Sequence, residues 1–136
     1  MRVVLDTNVL VSGLLSPFGP PGEIVRLVSA GALILCFDAR ILLEYRGVLA
    51  RPRFGFASAA VAALLELVQS AGWLVAPEPL PRRLPDPDDE PFLEAALAAR
   101  ARCLITGNLK HYPARRRQGM RVLSPAALLE VYRQRR

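Results

Sequence analysis

MRVVLDTNVLVSGL, residues 1–14, poses the question on which the fold turns. Val3, Val4 and Leu5 form a short apolar run that reads as a buried parallel strand over residues 2–5. Asp6 follows at once, and Asn8–Leu15 opens a helix. A carboxylate in that position has two readings. It caps the helix behind it, or it sits at the carboxyl end of a strand to hold a metal ion.

The segments beyond it repeat the strand–helix alternation. SPFGPPG, residues 16–22, reads as a loop. Ile24, Val25, Leu27 and Val28 mark a short helix stopped at Gly31. ALILCF (32–37) is a second strand, and Asp38 suits the N-cap of a helix over 39–50. That helix carries Ile41, Leu42, Tyr45, Val48 and Leu49 at helical spacing and ends at Arg51-Pro52. An alanine-rich helix follows over 59–70 with Leu64, Leu67 and Val68 inward. WLVA (73–76) is a strand. Residues 77–91 hold six prolines and form a loop. A helix begins near Phe92, its first turn taking in Asp89 to Pro91. CLIT (103–106) and MRVL (120–123) are strands, and Ser124-Pro125 starts the closing helix. Strands joined by helices require crossovers, hence a mostly parallel sheet with helices on both faces. In such sheets working residues gather beyond the carboxyl ends of the strands. That places Asp6 and Thr106-Gly107-Asn108 together.

Composition narrows the class. The chain has 136 residues, 52% of them hydrophobic, which fits one domain over 1–136 with a real core. No apolar run reaches the roughly 20 residues a bilayer requires, and the first segment does not read as a signal peptide. The cytoplasm is the expected location, with no membrane partner. Cys36 and Cys103 lie in apolar runs and read as buried thiols. With His111 as the only histidine they make no zinc pattern. Charge is uneven within a net of +6. Residues 1–99 hold 8 basic and 11 acidic side chains, whereas residues 100–136 hold 10 basic and 1 acidic. A basic surface near an acidic pocket suits an enzyme acting on a polyanion; solubility explains the same imbalance.

Three acidic segments carry the chemistry. Asp6 is the first. Glu44 lies one turn after Ile41 and one before Val48, on or beside the apolar stripe of its helix. A carboxylate there needs a partner, either Arg40, Arg51 or water, or a cation. PDPDDEPFLEAAL (85–97) crowds Asp86, Asp88, Asp89 and Glu90 at the front of a helix. Capping and the helix dipole account for part of that crowd. Oxygen ligands with no histidine or cysteine among them suit Mg²⁺ or Mn²⁺, ions that bind phosphate and promote phosphodiester hydrolysis.

Four blocks together resemble the PIN-domain nucleases: LDTNVLVSGL, LLEYRGVLARPRF, DPDDEPFLEAAL and LITGNLKHYP, in that order over nearly the whole chain. Within that family the chain is similar to the toxin components of bacterial and archaeal toxin–antitoxin pairs. The resemblance implies a three-layer α/β/α sandwich with a central, mostly parallel sheet. It also implies cleavage of single-stranded RNA with Mg²⁺ or Mn²⁺, and neutralisation by a small antitoxin protein. Homodimerisation is a further family-level expectation. Asp6 matches the family's first acid, Glu44 its second and Asp89 its third, with Asp88 the alternative if the register slips by one. The fourth acid often follows Thr-Gly, and here Asn108 stands there. An amide oxygen still ligates a metal or holds water but adds no negative charge. Thr106 matches a hydroxyl residue that supports the acids; it equally suits a strand.

On this reading Asp6, Glu44 and Asp89 hold the cation, with Glu44 positioning or deprotonating the attacking water. Asn108 orients a water or fixes the scissile phosphate. Lys110, His111 and Arg115 are candidates for steering the RNA backbone, and Tyr112 for stacking on a base. The alternative is a PIN-like module whose weakened site binds RNA or protein without cutting; Asn108 favours it. A small-molecule phosphatase or nucleotide-binding sheet protein is weaker still, because no glycine-rich loop follows the first strand.

Overall fold

In the computed structural model, which describes residues 1–135, five strands form one sheet. They are β1 (Arg2–Leu5), β2 (Ile34–Phe37), β3 (Trp73–Leu74), β4 (Cys103–Ile105) and β5 (Val122–Leu123). Their order is β3-β2-β1-β4-β5 and every pairing is parallel. Val3, Val4 and Leu5 are fully buried, as are Cys103, Leu104 and Ile105. Consecutive strand residues face opposite sides, so both faces of the sheet are covered, which is why these runs are apolar without alternation. The chain steps from β1 outward to β2 and β3, then returns to lay β4 and β5 on the other side. The strand order therefore reverses at β1, and the crevice beyond the ends of β1 and β4 is the switch point of the sheet.

The helices are α1 (Thr7–Leu15), α2 (Pro20–Ser29), α3 (Ala39–Leu49), α4 (Ser58–Ala71), α5 (Glu90–Ala99) and α6 (Pro125–Gln134). α5 lies against β1, β2 and β4; α1 packs on α2, and α2 on α6. The result is the α/β sandwich expected. Two starts follow local capping rules. Asp38 Oδ1 accepts from Ile41 N at 3.0 Å, and Ser124 Oγ accepts from Ala127 N at 3.1 Å with Pro125 at the first helical position.

Several boundaries differ from expectation. α2 begins at Pro20, inside the stretch expected to be loop, because proline's fixed φ and missing N–H suit a first helical turn. Gly22 is required there: a Cβ on it would lie 2.1 Å from the carbonyl oxygen of Pro17. On α4 the inward set is Leu64, Leu65 and Val68, while Leu67 is only half-buried. β3 is two residues long and lies at the sheet edge, leaving Trp73 and Leu74 exposed. Cys36 and Cys103 are free thiols with no exposure, and burial pushes both up to about 11. Among the described residues no helix is long and apolar enough to cross a membrane. The last residue of the expected 1–136 domain, Arg136, lies outside the described residues.

Candidate active site

Asp6 extends β1 by one ladder bond, its N–H donating to Ile105 O at 2.9 Å. It occupies the N-cap position of α1, yet its side chain makes no capping hydrogen bond. Asp6 Oδ2 instead accepts from Thr106 Oγ1 at 2.9 Å and from the Tyr112 hydroxyl at 3.2 Å. Thr106 Oγ1 in turn accepts from Asn108 N at 3.0 Å. Across the gap, Gly107 N donates to Asn8 Oδ1 at 3.0 Å. A Cβ on Gly107 would stand 3.3 Å from that oxygen, so glycine lets the two loops meet. The turns after β1 and β4 are thus laced together, with the Asp6 carboxylate between them.

α3 delivers Glu44. Its neighbour Tyr45 is fully buried and donates its hydroxyl to Leu5 O, docking the helix on the end of β1. Glu44 is left half-buried beside Asp6, where Thr7 Oγ1 donates to its Oε2. Arg40 does not serve as its partner. That guanidinium bridges Asp38 and Glu94, at 2.7 Å to each, tying α3 to α5.

The acidic run at α5 divides by role. Asp86 caps a single 3-10 turn, Pro87–Asp89, accepting from Asp88 N at 2.9 Å. Glu90 accepts from Leu84 N and Arg83, and Glu94 from Leu80 N and Arg40; both pin the proline-rich segment to α5. Asp88 is exposed. Asp89 is the one turned inward, 8% exposed, and it makes no capping bond. Among the described residues its Oδ2 is buried with no hydrogen-bond partner. His111 Nδ1 lies 3.0 Å from that oxygen, an ion-pair contact when the imidazole is protonated.

Burial and neighbouring charge set the electrostatics of the three acids. Burial raises Asp6 above the usual carboxylate range, opposed by its hydrogen bonds from Thr106 and Tyr112. Burial raises Glu44 as well, and the charges of Asp6 and Asp88 push the same way. Asp89 reaches about 6, through burial first and the charge of Asp6 second, with His111 opposing. The Tyr112 hydroxyl is pushed far up by burial and by these same carboxylates, so it remains a donor. The Asp6 charge therefore reaches both Glu44 and Asp89, and the Glu44 charge reaches Asp89, each disfavouring a further ionised carboxylate. The all-oxygen chemistry of the three acids, and a buried Asp89 oxygen with no hydrogen-bond partner among the described residues and the His111 imidazole as its ion-pair contact, fit a hard divalent cation. Among the described residues no three donors already converge as a finished metal cage. A cation there would have to draw the carboxylates in.

Asn108 is half-buried at the rim, and its side chain makes no hydrogen bond among the described residues. Lys110 and Arg115 are exposed, and His111 is half-exposed beside Asp89. Arg83, Leu84, Pro85, Pro113, Arg115 and Arg116 line a basic cleft of ≈ 280 Å³. Tyr112 cannot stack on a base: it has no exposure, and its role is to hold Asp6. In the sequence Tyr112 is a candidate for another role, base stacking, whereas Thr7 and Asn8 are not singled out there; the position of Thr7 directly behind Asp6 is the one signal.

No curated protein matches the chain. Residues 2–110 match the family model described as a PIN domain, a span that takes in Asp6, Glu44, Asp89 and Asn108 and stops short of Tyr112 and the basic turn. With most of its length matched, the chain belongs to the PIN-domain family, whose members are generally nucleases.

Proposed function

We propose that this protein is a metal-dependent endoribonuclease hydrolysing phosphodiester bonds in single-stranded RNA. One observation carries the reading: Asp89 is buried with a raised pKa beside two further carboxylates that are also raised, and its Oδ2 has no hydrogen-bond partner among the described residues, only the His111 imidazole 3.0 Å away as an ion-pair contact. Asp6, Glu44 and Asp89 would hold Mg²⁺ or Mn²⁺. Such an ion, when bound, supplies Lewis-acid stabilisation of phosphate charge and makes water more acidic.

The chain's own groups do the rest. Thr106 and Tyr112 fix the Asp6 carboxylate from behind. Thr7 fixes Glu44, which takes a proton from the attacking water. The Asn108 amide orients that water or the scissile phosphate. The water oxygen bonds to phosphorus as the bond to the 3′ oxygen breaks, and the leaving oxygen takes up a proton. This leaves a 5′-phosphate and a 3′-hydroxyl, as the family resemblance implies. Lys110, His111, Arg115 and the adjoining cleft with Arg83 and Arg116 offer cations to the flanking backbone.

The toxin role rests on the resemblance of the four sequence blocks. It implies a cytoplasmic protein neutralised by a small antitoxin, in a pair whose toxin forms homodimers. A non-cleaving, RNA- or protein-binding module is the second reading. It is favoured by Asn108 in the fourth acidic position and by His111 lying against Asp89.

Purified protein incubated with single-stranded RNA and Mn²⁺ separates the two. Cleavage abolished by EDTA and by Asp6→Asn, with 5′-phosphate ends, supports the nuclease. RNA binding without cleavage under any divalent ion supports the module. Cleavage that survives both controls refutes the mechanism.

A further inference from the structure

The opposite pole of the sheet carries a second concentration of charge, of the other sign. Arg2 at the start of β1, Arg100 at the end of α5, Arg102 just before β4 and Arg135 beyond α6 line a pocket of ≈ 200 Å³ together with Met1. Among the described residues no carboxylate lines it. Among the described residues none of the four arginines takes part in a salt bridge. Two of them are steered by aromatic rings: Arg2 Cζ lies 4.6 Å from the Trp73 centroid and Arg135 Cζ 5.7 Å from that of Tyr132. The backbone helps as well, since Arg102 N donates to Arg2 O at 2.8 Å and so couples two of the arginine-bearing strands.

Arg100 adds an observation of its own. It ends α5 in the left-handed region, φ 49° and ψ 48°, where glycine or asparagine is usual. A helix C-terminus favours one nearby cation through its dipole. It does not account for four arginines around one hollow, whose mutual repulsion, reduced by solvent at these mostly exposed positions, an anion among them would relieve. Guanidinium forks match phosphate oxygens in pairs, and several forks facing one space call for a multiply charged anion rather than a single carboxylate.

We propose that this basic pole is a binding site for a phosphate-dense anion, either the di- or triphosphate of a nucleotide or the backbone of a nucleic-acid strand. It lies about 13 Å along β1 from the acidic pocket, with the four-residue strand between them. A ligand there is therefore distinct from one being cut at Asp6. The site does not depend on the nuclease reading.

The test uses the full chain in EDTA, so that no divalent ion bridges an anion to the acidic pole. Binding of sodium pyrophosphate is measured by calorimetry at constant ionic strength. Saturable binding is expected, weakened about tenfold by Arg100→Gly and again by Arg102→Gln. Arg100→Gly places glycine where the backbone favours it, so the variant folds at least as well as the parent, and a melting curve verifies this. Arg53→Gln, at an exposed arginine outside the cluster, leaves pyrophosphate affinity unchanged. Competition assigns the source. If single-stranded RNA displaces pyrophosphate and loses affinity in Arg100→Gly, the ligand is a strand; if ATP does so and RNA does not, it is a nucleotide. No saturable pyrophosphate binding, or binding indifferent to Arg100→Gly and Arg102→Gln, overturns the proposal.

Discussion

Asp89→Asn should make the protein more stable while abolishing cleavage. Asp89 is 8% exposed, close to Asp6, and one oxygen has no hydrogen bond among the described residues. Burial and the Asp6 charge raise it from the ordinary 3.8 to about 6. At roughly 1.36 kcal/mol per pKa unit, ionising it in the folded state costs on the order of 1–3 kcal/mol relative to the unfolded chain once solvent screening is counted, with the His111 contact opposing. The folded state holds more protons than the unfolded one between about pH 4 and pH 6. Stability therefore falls as pH rises through that window and stays low above it. An asparagine removes the charge and keeps the shape. Its amide still has to be accommodated in the pocket, which offsets part of the gain. The expected net is about 1 kcal/mol of added stability at pH 7.5, fading to nothing near pH 4. Urea denaturation of both proteins in EDTA, at pH 4, 5.5 and 7.5, measures it. An Asp89→Asn variant equal to or weaker than the parent at pH 7.5 would refute the picture of a pocket strained by its own carboxylates.

Other consequences follow from single contacts. Thr7→Val removes the side-chain hydrogen bond that Glu44 accepts and should lower kcat by about 10–100-fold, as for lost outer supports of a metal site, with KM for RNA little changed. Tyr112→Phe removes one of two side-chain donors to Asp6; the acidic limb of the pH–rate profile should move up, and stability should fall by about 1 kcal/mol in denaturant titrations. Gly22→Ala drives a methyl group to 2.1 Å from the Pro17 carbonyl oxygen, and circular dichroism melts should show a loss of roughly 3 kcal/mol or more.

What could be read in the chain beforehand depended on how local the physics was. β1, the Asp38 and Ser124 caps and the parallel sheet follow from runs of a few residues and from the alternation of strands and helices. The capping reading of Asp6 fails because its oxygen bonds across the sheet. Tyr112 is 106 residues away from it, and no spacing rule joins them. Thr7 and Glu44 are 37 apart, brought together by Tyr45 docking on Leu5. The sequence prefers Asp89 to Asp88 by register alone; the 3-10 turn exposes Asp88 and buries Asp89, a difference no spacing rule supplies. The start of α2 was hidden by Pro20, which suits a loop and a first helical turn alike. Glu90 and Glu94 looked like members of one acidic crowd, but backbone N–H groups of Leu84 and Leu80 claim them.

Crystals of the protein soaked in Mn²⁺, with anomalous differences collected near the manganese edge, would locate the ion that the acidic pocket should take. A peak bounded by Asp6, Glu44 and Asp89, lost in Asp89→Asn crystals, is the predicted result. Ordered crystals with manganese bound elsewhere, or an empty pocket at saturating Mn²⁺, would contradict it.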